Sequence, residues 1–309
     1  MNSNNKSVIY ALIAVLSWST VATAFKLSLT YFSNYEMLLV ACLTSLFIFT
    51  LLITVKKKWR CISELSYGQW LYFSLIGLLN PVAYYLVLFK AYDLLPAQIA
   101  QPINYTWPIV LLIFLAVFAK QPIPKEKYIG MFLSLLGVGV ISLGGSNVNS
   151  LSLPVNGLLL AALSAALWAF YWIANNMNKM KVDGYVTLFM TFFMGSIYLL
   201  IGTFFVDVNL DNISGILSSM YVGAFEMGIP FIFFAMAISK TSNPALINQL
   251  CYLSPFMSLF FISVFLGEKI VFTTYIGLIL IVLGLIFNQY IVKLYPYMKN
   301  KKNNISNNQ

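Results

Sequence analysis

Apolar runs of bilayer length recur along this chain, separated by short polar breaks, and that recurrence constrains the fold more than any other feature. A helix needs roughly 20 mostly apolar residues to cross the hydrocarbon core. Ten stretches approach or exceed that need: Val8–Thr30, Tyr35–Val55, Trp70–Ala91, Pro96–Phe118, Tyr128–Leu143, Gly157–Met177, Tyr185–Val206, Ile213–Ser239, Pro244–Leu266 and Ile270–Val292. Charged residues make up only 9% of the sequence, against about 25% in soluble domains. Membrane barrels show short alternating segments and not continuous runs. The expected fold is therefore an all-α integral membrane protein of ten transmembrane helices, with the lipid bilayer as its solvent.

Basic residues give the orientation, because they concentrate in cytoplasmic loops. With ten spans both termini share one side. If that side is the cytosol, fifteen basic residues fall inside: Lys6, Lys56, Lys57, Lys58, Arg60, Lys120, Lys125, Lys127, Lys179, Lys181, Lys240, Lys293, Lys299, Lys301 and Lys302. Only Lys90 and Lys269 fall outside, and Lys26 lies within the first span. The bias accounts for the net charge of +9 without nucleic acid, for which no motif is present. Ala22-Thr23-Ala24 has the small-x-small pattern of a signal cleavage site. The apolar run continues past it, so this stretch is expected to remain as the first span. Cys42 and Cys251 lie within spans and Cys61 in a loop, a pattern that implies no disulfide.

The chain also reads as two copies of one unit. At an offset of 147, Pro108 matches Pro255, Phe118 matches Phe265, Tyr128-Ile129-Gly130 matches Tyr275-Ile276-Gly277, and Gly137 matches Gly284. AQIAQ (97–101) matches ALINQ (245–249) at 148, and Trp18 matches Trp168 at 150. Five spans per copy is an odd number, so the second copy runs upside down relative to the first. The expected organisation is a first five-helix repeat over 1–148, an inverted second repeat over 149–298, and a polar Asn-rich tail over 299–309 without fixed structure. The link SNVNSLSLPVN (146–156) is expected outside. Inverted repeats of this kind place a substrate site near the midplane between the halves.

Polar and aromatic residues inside the spans are the candidates for that site. On an ideal helix Gln98, Gln101, Tyr105 and Pro108 fall within about 80° of one another, with Asn104 some 40° beyond. Gln98 is expected to serve packing before substrate. Trp107 points away from that face unless Pro108 bends the helix. In the inverted partner Asn248, Tyr252 and Pro255 share a face, with Gln249 nearby. Span one offers Trp18, Ala22 and Lys26. Span three offers Asn80, Pro81 and Tyr84. Span six offers Ser164, Trp168, Trp172, Asn175 and Asn176. Aromatic faces hold flat or cationic guests and amides orient polar ends, whereas Trp172 also fits an interfacial anchor. Lys26 and Glu226 are ionisable groups inside spans, and such groups usually work or pair. Lys26 either snorkels outward or acts. Glu226 is expected to couple a proton, meet a substrate ammonium, or pair with Lys26.

Residues 16–26 (LSWSTVATAFK) and 254–277 (SPFMSLFFISVFLGEKIVFTTYIG) resemble the EamA family of the drug/metabolite transporter superfamily, and the likeness spans nearly the whole chain. It implies ten helices in two inverted units, secondary transport, and a bacterial cytoplasmic (inner) membrane. INYTWP (103–108) is similar to the NYLWP-type motif of that family's YddG-type aromatic amino acid exporters. This resemblance implies a central cavity lined from spans one, three, four and six, a role that falls on Trp18, Tyr84, Tyr105, Trp107 and Trp168. Thr106 stands where that motif has Leu, and Gln121 stands where the second half has Glu268.

The leading expectation is an exporter of amino acids, aromatic or otherwise neutral, or of similar small metabolites by alternating access. The alternative is a sugar, nucleoside or drug exporter of the same architecture. An enzyme is disfavoured. The chain has no histidine, no HExxH motif and no carboxylate opposite Glu226 in a neighbouring span. A channel would need a pore ring built by several chains. The P-loop of an ATP-driven pump, GxxxxGK[ST], is absent. No cofactor, metal or obligate protein partner is implied; the partners are a small-molecule substrate and lipid.

Overall fold

The computed structural model describes residues 3–118, 120, 123, 125–145, 153–177, 180, 182–241, 246–247 and 250–306, without the side chains of 3–4, 143–145, 176–177 and 291–306. Fourteen helices account for most of them: α1 Ser3–Leu29, α2 Asn34–Val55, α3 Trp59–Ser63, α4 Tyr67–Gly77, α5 Tyr84–Leu94, α6 Ala97–Asn104, α7 Trp107–Phe118, α8 Lys127–Gly145, α9 Val155–Met177, α10 Gly184–Gly202, α11 Ile213–Val222, α12 Ile229–Lys240, α13 Leu253–Leu266 and α14 Phe272–Ser306. No strand occurs among the described residues. Eight helices or joined helices there are long and apolar enough to cross a membrane, and Lys127–Ser142 and Leu253–Leu266 are shorter apolar helices.

Local chemistry sets the helix starts. Ser33 and Ser66 each accept from the backbone N–H three residues on, at Glu36 and Gln69, whose side chains reach back in two capping boxes. Asp183 and Asn212 cap α10 and α11 by accepting from Tyr185 N and Gly215 N. Gly267, at φ +65, ends α13 in the left-handed conformation that glycine adopts without strain. Helix α14 runs from Phe272 to Ser306, with Pro296 inside it.

Within spans, several helices break. Leu78–Ala83 between α4 and α5, and Gly223–Gly228 between α11 and α12, are π-helical. Tyr105-Thr106 interrupts α6 and α7, and Cys251-Tyr252 forms the corresponding turn before α13. The fourth span, expected over Pro96–Phe118, is observed at Ala97–Phe118 with this two-residue turn between Gln98-Gln101 and Pro108. Pro108 lies at the second position of α7, where its missing donor costs little. In a bilayer every freed backbone group needs a partner, and side chains supply several. Ser45 Oγ donates to Gly223 O at 2.8 Å, Trp18 Nε1 to Glu226 O at 3.1 Å, and Thr106 Oγ1 to Ile103 O at 2.7 Å.

Packing joins the two parts of the sequence throughout. Helix α1 packs on α11, α12 and α13; α9 packs on α5, α6 and α7; α2 packs on α10 and on Gly223–Gly228. The closest pair is α8 with α14. Lipid gives helices no hydrophobic drive to associate, so small residues that let backbones approach carry such contacts. A Cβ built on Gly130 would meet Gly284 O at 2.5 Å, and one on Gly277 would meet Gly137 O at 2.5 Å. The contacts are reciprocal: Gly284 faces Gly130 O and Gly137 faces Gly277 O as closely. Between them Ser134 Oγ donates to Ile281 O at 3.1 Å.

Candidate functional site

The helix breaks bring the mid-span aromatics into one connected cluster. Trp168 on α9 is its centre. The Tyr84 ring lies 4.8 Å away, Tyr171 stacks at 5.4 Å, Trp172 meets it edge-on at 6.4 Å, and Phe231 lies at 6.1 Å. Trp107 stacks on Trp172 with planes 9° apart and centroids 6.0 Å apart. Trp18 joins through Phe231 at 6.4 Å. Trp107 reaches this cluster because α7 restarts after the Tyr105-Thr106 turn and does not extend the α6 face.

Polar groups thread the rings. Tyr84 Oη donates to Asn104 Oδ1 at 3.4 Å, and Asn104 Nδ2 donates to Ser164 Oγ at 2.9 Å. Tyr85, fully buried beside Tyr84, donates to Glu226 Oε1 at 3.2 Å. Glu226 sits in the Gly223–Gly228 segment, and its backbone carbonyl accepts from the Trp18 indole N–H. Several buried atoms lack a hydrogen bond of ordinary geometry among the described residues: Trp172 Nε1, both amide atoms of Asn80, and Gln101 Oε1. The Tyr171 hydroxyl lies beside the Asn80 amide. Unmet polar atoms in an apolar interior are costly, and a polar guest or water relieves them.

Other predicted residues lie elsewhere. Tyr105 Oη donates to Ser254 Oγ at 3.1 Å, tying the α6–α7 turn to α13. Tyr252 is half-buried against the core where α13 begins. Gln249, Asn248 and the side chain of Asn176 lie outside the described residues and side chains. Lys26 does not pair with Glu226. Its ammonium donates to Tyr92 O at 2.9 Å and Leu95 O at 3.2 Å, at the C-terminus of α5, where a cation complements the helix dipole. Among the described residues the ion pairs are Lys58–Asp183, Arg60–Glu64 and Lys90–Asp93.

Gln98 is bound on both ends of its amide. Nε2 donates to Glu268 Oε2 at 3.3 Å and Lys269 O at 3.1 Å, while Oε1 accepts from Val271 N at 3.1 Å and Thr274 Oγ1 at 3.0 Å. Reading the sequence missed Tyr85 and Phe231. A phenylalanine in an apolar run carries no signal of its own; only its place five residues after Glu226, in the first turn of α12 just past the π-helical break, marks Phe231 out.

Bilayer-length helices, broken mid-span around a buried aromatic and polar cluster, define a multi-pass integral membrane protein. The chain belongs to the EamA-like transporter family, whose model matches residues 5–143 and 155–289. Similar proteins include the uncharacterized transporters YvbV (25% identical, covering 69% of this chain and 70% of that one) and YdfC (26%, covering 69% of each), both of Bacillus subtilis strain 168. An uncharacterized transporter of Clostridium kluyveri is 27% identical over 60% of this chain and 58% of its own length. A solved crystal structure shares the fold with a TM-score of 0.65 at 19% identity, covering 94% of this chain and 97% of the other.

Proposed function

We propose that this chain is a secondary exporter of amino acids, aromatic or otherwise neutral, or of similar small metabolites, working by alternating access. Its ten spans form two inverted five-helix halves, with both termini in the cytosol of a bacterial cell. The reciprocal glycine contacts of α8 and α14 support that symmetry, since residues that face each other in this way are related by a two-fold axis. The π-helical breaks at Leu78–Ala83 and Gly223–Gly228 support it as well.

One observation carries the reading: the ring cluster about Trp168 with an unpartnered donor, Trp172 Nε1, and the Asn80 amide buried in it. Flat rings grip a flat or apolar side chain, and unmet polar atoms orient the polar end of the same solute. Glu226, beside Tyr85, supplies a carboxylate for an ammonium group or an exchanged proton.

The test is counterflow of a labelled amino acid panel in proteoliposomes at two internal pH values. Accumulation of Phe, Trp, Tyr or another neutral amino acid is expected, and Trp168→Ala is expected to weaken it by roughly tenfold or more, as for a central aromatic anchor. Glu226→Gln is expected to remove the pH dependence, with Tyr85 and Tyr84 the titratable neighbours left in place. Silence across the panel from folded protein, with counterflow of a sugar or nucleoside instead, overturns the amino acid assignment.

A further inference from the structure

The two ends of the molecule are closed by different means. Helix α9 marks the ends. Its first turn, at Gly157, packs on Leu94 and Leu95, and its last turn leads toward Asp183, so the Leu95 end and the Asp183 end are opposite. At the Asp183 end, α10 and α12 flank a cavity of about 230 Å³ whose lining includes Asp183, Tyr185, Leu188, Ala235, Met236 and Ser239. Further in, the Phe192 and Phe231 rings meet at 6.3 Å, and Phe231 lies against Trp168. Along these two helices that ring contact lies between the cavity and the cluster.

The Leu95 end is closed by hydrogen bonds between the two halves of the sequence. Helix α6 begins after Pro96, which offers no side-chain cap. Glu268, 170 residues away, takes the cap's place: Oε1 accepts from Ala97 N at 3.0 Å and Oε2 from Gln98 N at 3.4 Å. A carboxylate at a helix N-terminus satisfies orphan amides and meets the positive end of the dipole. The Gln98 amide then clasps Glu268, Lys269, Val271 and Thr274. Lys26 holds the C-terminus of α5 on the other side of the same turn, with Glu268 near enough to attract it.

We propose that Glu268, with Gln98, is the latch of this end, a positioning device that sets which face of the membrane the cluster opens to. This rests on the alternating-access reading above. Opening this end parts α6 from residues 268–274, which breaks charge-assisted bonds; at the Asp183 end α10 and α12 meet through the Phe192 and Phe231 rings, and the polar contact there, Lys58–Asp183, joins α10 to the segment after α2 and is partly exposed. The intact latch therefore biases the molecule toward the Asp183 side, and a weakened latch shifts the population toward the Glu268 side.

The test uses the full chain with Cys42, Cys61 and Cys251 replaced by alanine and Tyr84→Cys as reporter. Tyr84 lies against Trp168 at the centre of the cluster. A membrane-impermeant charged maleimide is applied to right-side-out and inverted vesicles. With Glu268 intact, labelling is expected to be faster from the Asp183 face. Glu268→Gln is expected to raise labelling from the Glu268 face roughly tenfold, as for the loss of bonds to a charged group, and to lower it from the Asp183 face. Thr274→Val, which removes one hydroxyl, gives a smaller shift in the same sense and serves if Glu268→Gln does not fold. Unchanged rates in both variants, or rates that rise together on both faces, overturn the latch while leaving the cavity reading intact. Protection from both faces in every variant overturns both.

Discussion

Alanine at Gly137 or Gly277 tests the helix pair on which the two halves meet. A Cβ at Gly277 would sit 2.5 Å from Gly137 O, where ordinary contact begins at 3.4 Å, so α8 and α14 must part locally by about 0.9 Å. A gap of that size forfeits about a quarter to a half of each dispersion well of roughly 0.1–0.2 kcal/mol. If the separation extends over on the order of 40–60 atom pairs, comparable with one buried leucine, the loss is about 1–6 kcal/mol, the lower part of which is the usual range for overpacking. Gly137→Ala pushes on the same spot from the other helix, against Gly277 O. The two variants are expected to cost similar amounts. The double variant is expected to cost clearly less than their sum, because the first methyl has already parted the backbones. Reversible unfolding in bicelles, read by steric trapping, measures all three. Full additivity, or one variant costing nothing while its counterpart costs about 2 kcal/mol, would refute the reciprocal contact.

Two further outcomes follow from single contacts. Asn104→Leu leaves the Tyr84 hydroxyl and Ser164 without their shared partner and is expected to cost about 1–3 kcal/mol in the same assay, with Asn104→Ser recovering part of it. At the surface, partial burial raises the Asp183 carboxyl, but the Lys58 hydrogen bond and charge together with backbone N–H groups outweigh it and hold the group below its ordinary 3.8. A depressed carboxylate contributes stability above its unfolded value and loses it as pH falls through the lower folded value. The stability difference between the wild type and Asp183→Asn is therefore expected to be constant near neutral pH and to shrink as pH falls through the lowered folded value; a difference unchanged between neutral and strongly acid pH contradicts the pairing.

The sequence made the helices legible because lipid demands long apolar runs, and the observed bounds follow them within a few residues at Val155–Asn175 and Ile213–Lys240. Trp18, Tyr84, Asn104, Trp107, Trp168 and Trp172 lie in one connected set of contacts; in the sequence they stand as separate candidates, with Trp107 pointing away and Trp172 also fitting an interfacial anchor. The breaks were legible only as prolines. Pro108 marked a bend, but at the two-residue turn before it the Thr106 hydroxyl donates to the Ile103 carbonyl, and Trp107 beyond it stacks on Trp172. Long-range partners were the least legible. Nothing local to Lys26 indicates that it will hold carbonyls 66 and 69 residues away, and nothing near Gln98 indicates that its partners begin at Glu268.

The cap on α6 has a consequence for how such chains drift under mutation. Two of the groups that Glu268 grips are peptide N–H groups, which every residue except proline provides. Position 97 is therefore free to vary in size or polarity, within the space around it, without weakening the grip. Position 268 has no such freedom, because only a carboxylate of that length accepts from both amides. A contact made half of side chain and half of backbone leaves its trace on one side only: a search for residues that change together across the two halves would pass over Ala97 and Glu268.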